Sequence, residues 1–162
     1  MKESVRNVFI SHHSKDDKSI DSMTSNLARK GFNLRNSSIR LKDRNKSRVE
    51  SDQVSERTIK RLLSMKMRWA GKIIVIIGKE THQRKWVNWE IETAIKQGKE
   101  IIGVYQDKLE GDIHIPTQLE DYANSIVSWD TESIISALDG YPIFQRPDGK
   151  PSPQLEGISL SC

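Results

Sequence analysis

The sequence predicts an α/β domain of flavodoxin-like topology, a five-stranded parallel sheet with helices on both faces. Three observations predict it. Lys72-IIVII-Gly78 is a continuous apolar run, the pattern of a strand buried on both sides of a parallel sheet. Short β-branched stretches alternate with helix-period segments in the order β-α-β-α-β-α-β-(loop)-β-α, which implies βαβ crossovers. Glycines follow the helical patterns at Gly31, Gly71, Gly98 and Gly140, where chain reversals are needed. The simplest strand order is 2-1-3-4-5. It places a ligand crevice outside the carboxyl ends of the first and third strands, where the winding reverses.

Val5 to Ser11 is β-branched and aromatic and reads as the first strand. Ser14-Lys-Asp-Asp17 reads as a helix start, with Ser14 as N-cap and Asp17 near the positive end. Ile20, Met23 and Leu27 continue that helix at its period. Phe32 to Arg35 is a weak second strand, and the polar stretch Asn36 to Gln53 is a long loop carrying Arg40, Lys42, Arg44, Lys46 and Arg48. Val54, Ile59, Leu62, Leu63 and Met67 mark a second helix, and Lys72 to Gly78 is the third strand. Arg84 to Gln97 is a third helix, followed by the strand Glu100 to Tyr105. Lys108 to Asp121 reads as a loop containing Pro116, Ser125 to Trp129 as a last strand, and Asp130 or Thr131 as the cap of a closing helix. From Tyr141 onward Pro142, Pro147, Pro151 and Pro153 break the pattern. The domain is therefore expected over 1–140, with 141–162 as a C-terminal extension.

A chain of 162 residues is long enough for one domain with an ordinary core. Its single cysteine, Cys162, forms no internal disulfide, and no leader-like or bilayer-length apolar segment is present, so a cytoplasmic location is expected. The net charge of +4 is mild and does not mark a dedicated nucleic-acid binder; no membrane association is expected either. The four histidines show no zinc spacing, and Gly78-Lys-Glu-Thr81 is not a P-loop.

Chemistry concentrates in Trp86-VNWEIETA-Ile95. At about 100° per residue Val87, Ile91, Ala94 and Ile95 form the stripe that packs on the sheet. Glu90 lies just off that stripe, with Trp86 one turn earlier on the same flank, while Glu92 and Trp89 fall on the solvent side. A carboxylate beside an indole at a crevice suits a reaction that develops positive charge, such as cleavage of a nicotinamide–ribose bond through an oxocarbenium-like state. The same position also fits a half-buried glutamate paired with Lys85 or Lys96.

Phe9-Ile-Ser-His12 followed by Ser14-Lys-Asp-Asp-Lys18 resembles the first strand and turn of bacterial TIR domains. Trp86-Val-x-x-Glu90 resembles the W-x-x-x-E segment of NAD-cleaving TIR domains. The stretch from Gly78 to Val104 is similar to the TIR-like domain of Thoeris antiviral systems. The resemblance spans about residues 5 to 140. It implies an enzyme that takes NAD as a substrate, releases nicotinamide and makes an ADP-ribose product, cyclic or conjugated, that reaches a partner effector protein. It further implies that Glu90 is catalytic, that Phe9, Ser11, His12 and Trp86 line the NAD pocket, and that no metal or resident cofactor is needed. The polar loop 36–53 does not match the usual loop through which TIR domains assemble, so a homo-oligomer is an open expectation.

Other readings are weaker. His12 and His13 fit turn polarity better than proton transfer, and Ser11 lacks the G-x-S-x-G elbow of a nucleophile. Trp69 reads as core or interface, Trp89 as an exposed contact and Trp129 as structural. A non-catalytic adaptor acting through self-assembly is the competing function. A phospho-receiver would need an acidic pair directly after the first strand and an aspartate after the third, and Gly78 to Thr81 contains none.

Overall fold

The computed structural model describes residues 4–12, 17–36, 56–111 and 113–152. The expected helix start at Ser14, the basic loop from residue 37 to 53, Val54 and the end of the tail with Cys162 lie outside them.

Five parallel strands form one sheet in the order 2-1-3-4-5: β1 (Ser4–Ser11), β2 (Phe32–Asn36), β3 (Lys72–Ile77), β4 (Glu100–Tyr105) and β5 (Ser125–Val127). The apolar run of β3 takes the central place because it is sealed on both faces. Its register pairs Phe9 with Ile73 and Ser11 with Val75 on β1, and Ile77 with Tyr105 on β4.

Strand alternation splits the core in two. One face carries Phe9, Ile73, Val75, Ile77, Ile101 and Ile126. It is covered by α2 (Glu56–Trp69), α3 (Lys85–Lys96) and α4 (Thr117–Tyr122). The other carries Val8, Ile10, Ile74, Ile76, Ile102 and Val127, covered by α1 (Asp17–Arg29) and α5 (Thr131–Leu138). The predicted stripe of α1 holds: Ile20, Met23 and Leu27 are buried. Asp130 caps α5, its carboxylate accepting from the Ser133 amide at 3.0 Å.

Three expectations change. The span 108–121 is not all loop, because Thr117–Tyr122 closes into α4. Pro116 fixes the entry at φ −52°, and Leu119 anchors the turn under Gly103, an interaction too short to leave a period in the sequence. Leu62 does not join the buried stripe of α2; it is 42 % exposed, while Leu63 and Met67 go inside. β5 stops at Val127 rather than Trp129.

Residues 141–152 dock on β5. Ile126 bridges Phe144 in parallel, its amide bonding the Ile143 carbonyl, and Phe144 is buried in the core under α3 and α4. Among the described residues no helix is long and apolar enough to cross a membrane.

Gly103 lets three elements meet. A Cβ there would stand 3.0 Å from Ile77, 3.3 Å from Ile126 and 3.4 Å from Leu119. Gly103→Ala is expected to cost about 1–3 kcal/mol through overpacking. Urea unfolding checks this; an unchanged midpoint would show that the three side chains can move apart.

Candidate active site

The carboxyl end of β3 is pinned before the functional helix begins. The Gly78 amide donates to the Thr81 hydroxyl at 2.7 Å, and that hydroxyl lies 3.4 Å from the Ile76 carbonyl it donates to. A single 3₁₀ turn, Thr81–Gln83, follows, and the Asn88 side chain donates to the His82 carbonyl at 2.9 Å. These bonds set where α3 starts and therefore which face it turns to the sheet. Val87, Ile91 and Ala94 face inward as their spacing predicts.

Glu90 goes inside with them. It is 8 % exposed, and the Ser11 hydroxyl at the end of β1 donates to its Oε1 at 3.2 Å. Ser11 is itself 1 % exposed. Residues 79 positions apart thus meet where the first strand ends, in the region where the winding of the sheet reverses. Burial pushes the Glu90 carboxyl up to about 8, because desolvation penalises the charged form; the hydrogen bond from Ser11 favours that form and offsets part of the rise. At neutral pH the carboxyl is mostly uncharged. Glu92, two residues on, is exposed and paired with Lys96 at 3.2 Å, as expected of a surface charge. The pairing of Glu90 with Lys85 or Lys96 does not form: Lys85 reaches Glu56 on α2 at 3.2 Å, and Lys96 takes Glu92.

The other expected site residues divide. Trp86 is half-buried on the flank of α3, one turn before Glu90, and meets Trp89 edge-on with ring centroids 6.1 Å apart. His12 is half-buried with Nδ1 3.0 Å from the Ile10 carbonyl, a bond that requires the proton on Nδ1. Phe9 is fully buried in the core and presents no surface to a pocket, because its place on β1 turns it under α2 and α3. Trp89 is not exposed as expected. The arrival of α2 half-buries it, with the Lys60 ammonium 5.8 Å over its ring. Trp69 is no core residue: it is 78 % exposed.

Sequence reasoning missed His82 and His114, whose rings stack at 4.6 Å beside the start of α3; His82 Nδ1 is buried without a partner. Nothing in their spacing of 32 positions could have paired them. A cleft of about 450 Å³ opens at the carboxyl ends of β4 and β5 between Gln106, Trp129, Asp130, Gln145 and Asp148. Neither Glu90 nor Ser11 lines it. Among the described residues no group of three or more His, Cys, Asp or Glu is arranged to hold a metal ion.

The titration of Glu90 carries a stability prediction. Its carboxyl ionises near 4.5 when unfolded and near 8 when folded. Between those values the native state holds a proton that the unfolded state has lost. The Glu90 contribution to stability is therefore greatest below pH 4.5, falls by up to about 1.4 kcal/mol per unit through the window, and levels off above pH 8. Glu90→Gln should flatten this dependence in denaturant titrations at several pH values. Ser11→Ala should move the Glu90 carboxyl further up in a carbon NMR titration. A carboxyl that titrates near 4.5 in the folded protein would contradict both.

Residues 9–111 match the family described as Thoeris protein ThsB, TIR-like domain, a segment that contains both Ser11 and Glu90. No curated protein matches the chain. Among solved structures, a conserved protein from Enterococcus faecalis V583 superposes with a TM-score of 0.59 at 11% identity, covering 84% of this chain and 98% of that one. A 2-deoxyribosyltransferase from Bacillus psychrosaccharolyticus superposes with a TM-score of 0.51 at 13% identity, covering 79% and 89%. At such identities the two show a shared fold and nothing finer. The family match spans well over half of the sequence, and the chain belongs to the Thoeris ThsB TIR-like domain family.

Proposed function

We propose that this domain cleaves the nicotinamide–ribose bond of NAD, with Glu90 as the catalytic residue, and makes an ADP-ribose-type signalling molecule, cyclic or conjugated. Membership of the Thoeris TIR-like family associates the chain with antiphage defence, and the product would act on an effector protein. The observation that carries the enzymatic reading is the buried Glu90 carboxyl held opposite Ser11. A merely structural glutamate on a helix surface gains nothing from being desolvated without a cation; a reacting one gains field strength.

The chemistry follows from charge. NAD brings a pyridinium cation. Placed beside Glu90, that cation favours the ionised carboxyl and drives its proton off. The C1′–N bond then breaks heterolytically, its electron pair passing to nicotinamide, which leaves neutral. Positive charge moves to the ribose C1′ and ring oxygen, where the Glu90 carboxylate stabilises it in a low-dielectric setting. A water or a hydroxyl of the same or a second molecule attacks C1′, and Glu90 takes the proton released. Trp86, one turn away, would stack on a base or ribose; Ser11 holds the carboxyl in place and His12 borders the same strand end.

Free nicotinamide released from NAD by the purified protein tests the reading. Glu90→Gln should lower the rate at least about 100-fold, as expected on losing charge stabilisation at a reacting centre. Glu92→Gln should leave it unchanged. For the wild type, kcat/KM should rise with pH and level off above about 8, since the ionised carboxyl is the working form. Wild-type rates in Glu90→Gln would overturn the assignment, and a total lack of turnover in every assembly state would favour the adaptor.

A further inference from the structure

The cleft at the carboxyl ends of β4 and β5 takes no part in the chemistry assigned to Glu90, yet its volume of about 450 Å³ suits a small ligand. Trp129 is the one aromatic among the described residues that line it, half-buried just past the end of β5. The floor is a fixed chain of hydrogen bonds. Gln145 Oε1 accepts from the Ser128 amide at 2.9 Å and from the Ser128 hydroxyl at 3.2 Å. Gln145 Nε2 donates to the Ser133 hydroxyl at 3.2 Å, and that hydroxyl donates to Asp130 Oδ2 at 2.8 Å. The Gln145 backbone amide donates to the Ile126 carbonyl at 2.8 Å, which ties the whole chain of bonds to β5. Two polar groups are left over. The second amide hydrogen of Gln145 and the Oδ1 of Asp130 have no partner among the described residues. They are a donor and an acceptor, joined through Ser133. Lys108, at the rim, holds φ at 60°, a left-handed conformation costly for a residue with a side chain and concentrated at ligand sites.

We infer that this cleft binds a free pyranose sugar, its flat C–H face against the Trp129 indole and its neighbouring hydroxyls bridging Gln145 and Asp130. A hydroxyl donates and accepts at once, so two adjacent hydroxyls answer the leftover amide hydrogen and carboxylate oxygen together. A pyranose carries such hydroxyls around its edge and offers an apolar face to an aromatic ring. Other ligand classes fit less well. A metal ion needs converging ligands, and no three His, Cys, Asp or Glu converge among the described residues. An amine would satisfy Asp130 but set its positive charge against the Gln145 amide hydrogen. A phosphorylated sugar or a nucleotide would bring negative charge to Asp107, Asp130 and Asp148, with Lys108 the single cation among the described lining residues. The site stands apart from the NAD chemistry: neither Glu90 nor Ser11 lines it, and sugar binding is read without turnover.

An amide NMR titration of the full chain with glucose and with N-acetylglucosamine tests it. At least one of the two should give saturable shifts at Ser128, Trp129 and Gln145, with a dissociation constant on the order of 1 mM, as fits a shallow site with few apolar contacts. Mannitol, which has the hydroxyls but no ring face, should bind about tenfold more weakly. Trp129→Ala should weaken sugar binding about tenfold, and circular dichroism separates that loss from lost folding. Asp130→Asn keeps an oxygen for the helix cap but turns the leftover acceptor into a donor, so it should weaken binding about fivefold in a folded protein. Glu90→Gln should bind the sugar as the wild type does, whatever its effect on nicotinamide release. No saturable shift with either sugar would overturn the proposal. So would mannitol binding as well as the sugars, putrescine binding more tightly than they do, or unchanged sugar binding in Asp130→Asn.

Discussion

The site rests on one constraint: a glutamate carboxyl is held out of water with a serine hydroxyl and, among the described residues, no cation. Glu90 can sit there only because α3 leaves the end of β3 at a fixed angle, set by Thr81 and Asn88, and because β1 ends in a small hydroxyl residue at Ser11. Val87, Ile91 and Ala94 bind the helix to the sheet. Desolvation then leaves the ligand-free carboxyl neutral at physiological pH. In the proposed reaction a cationic ligand would supply a partner for the carboxylate, and the same burial would strengthen their interaction.

The parallel sheet makes such a meeting ordinary in geometry and specific in chemistry. Carboxyl ends of neighbouring strands converge on one edge, and the reversal between β1 and β3 opens space there for side chains from distant parts of the chain. Gly103 thins the centre of β4 so that Leu119 and Ile126 can close over it, and Phe144 from the following segment completes that cover.

The strand order and four of the helices were readable because burial leaves a period: the run of β3, the stripes of α1 and α3, and the Asp130 cap are local patterns. Glu90 was readable as the residue just off the stripe. Its depth was not, since helical arithmetic gives an angle and not the height of the neighbouring helices. Phe9 lies deeper than its place in the motif suggested, for a related reason. Strand alternation sends it to the same face as Ser11, but two residues earlier, where α2 and α3 already close the space. Trp89 was misplaced because α2 covers it from a distant stretch of chain. α4 and the His82–His114 stack depend on contacts that leave no pattern in sequence. Leu62 could not be told from Leu63 by composition, and only the packing shows that one anchors the core while the other faces out.

Proton release on ligand binding tests the central claim most directly. Titration calorimetry near pH 7 with a carbocyclic, uncleavable analogue of NAD, repeated in buffers of different ionisation enthalpy, counts the protons exchanged. The account predicts release approaching one proton in the wild type and none in Glu90→Gln. Binding without proton release in the wild type, or the same release in the variant, would contradict it.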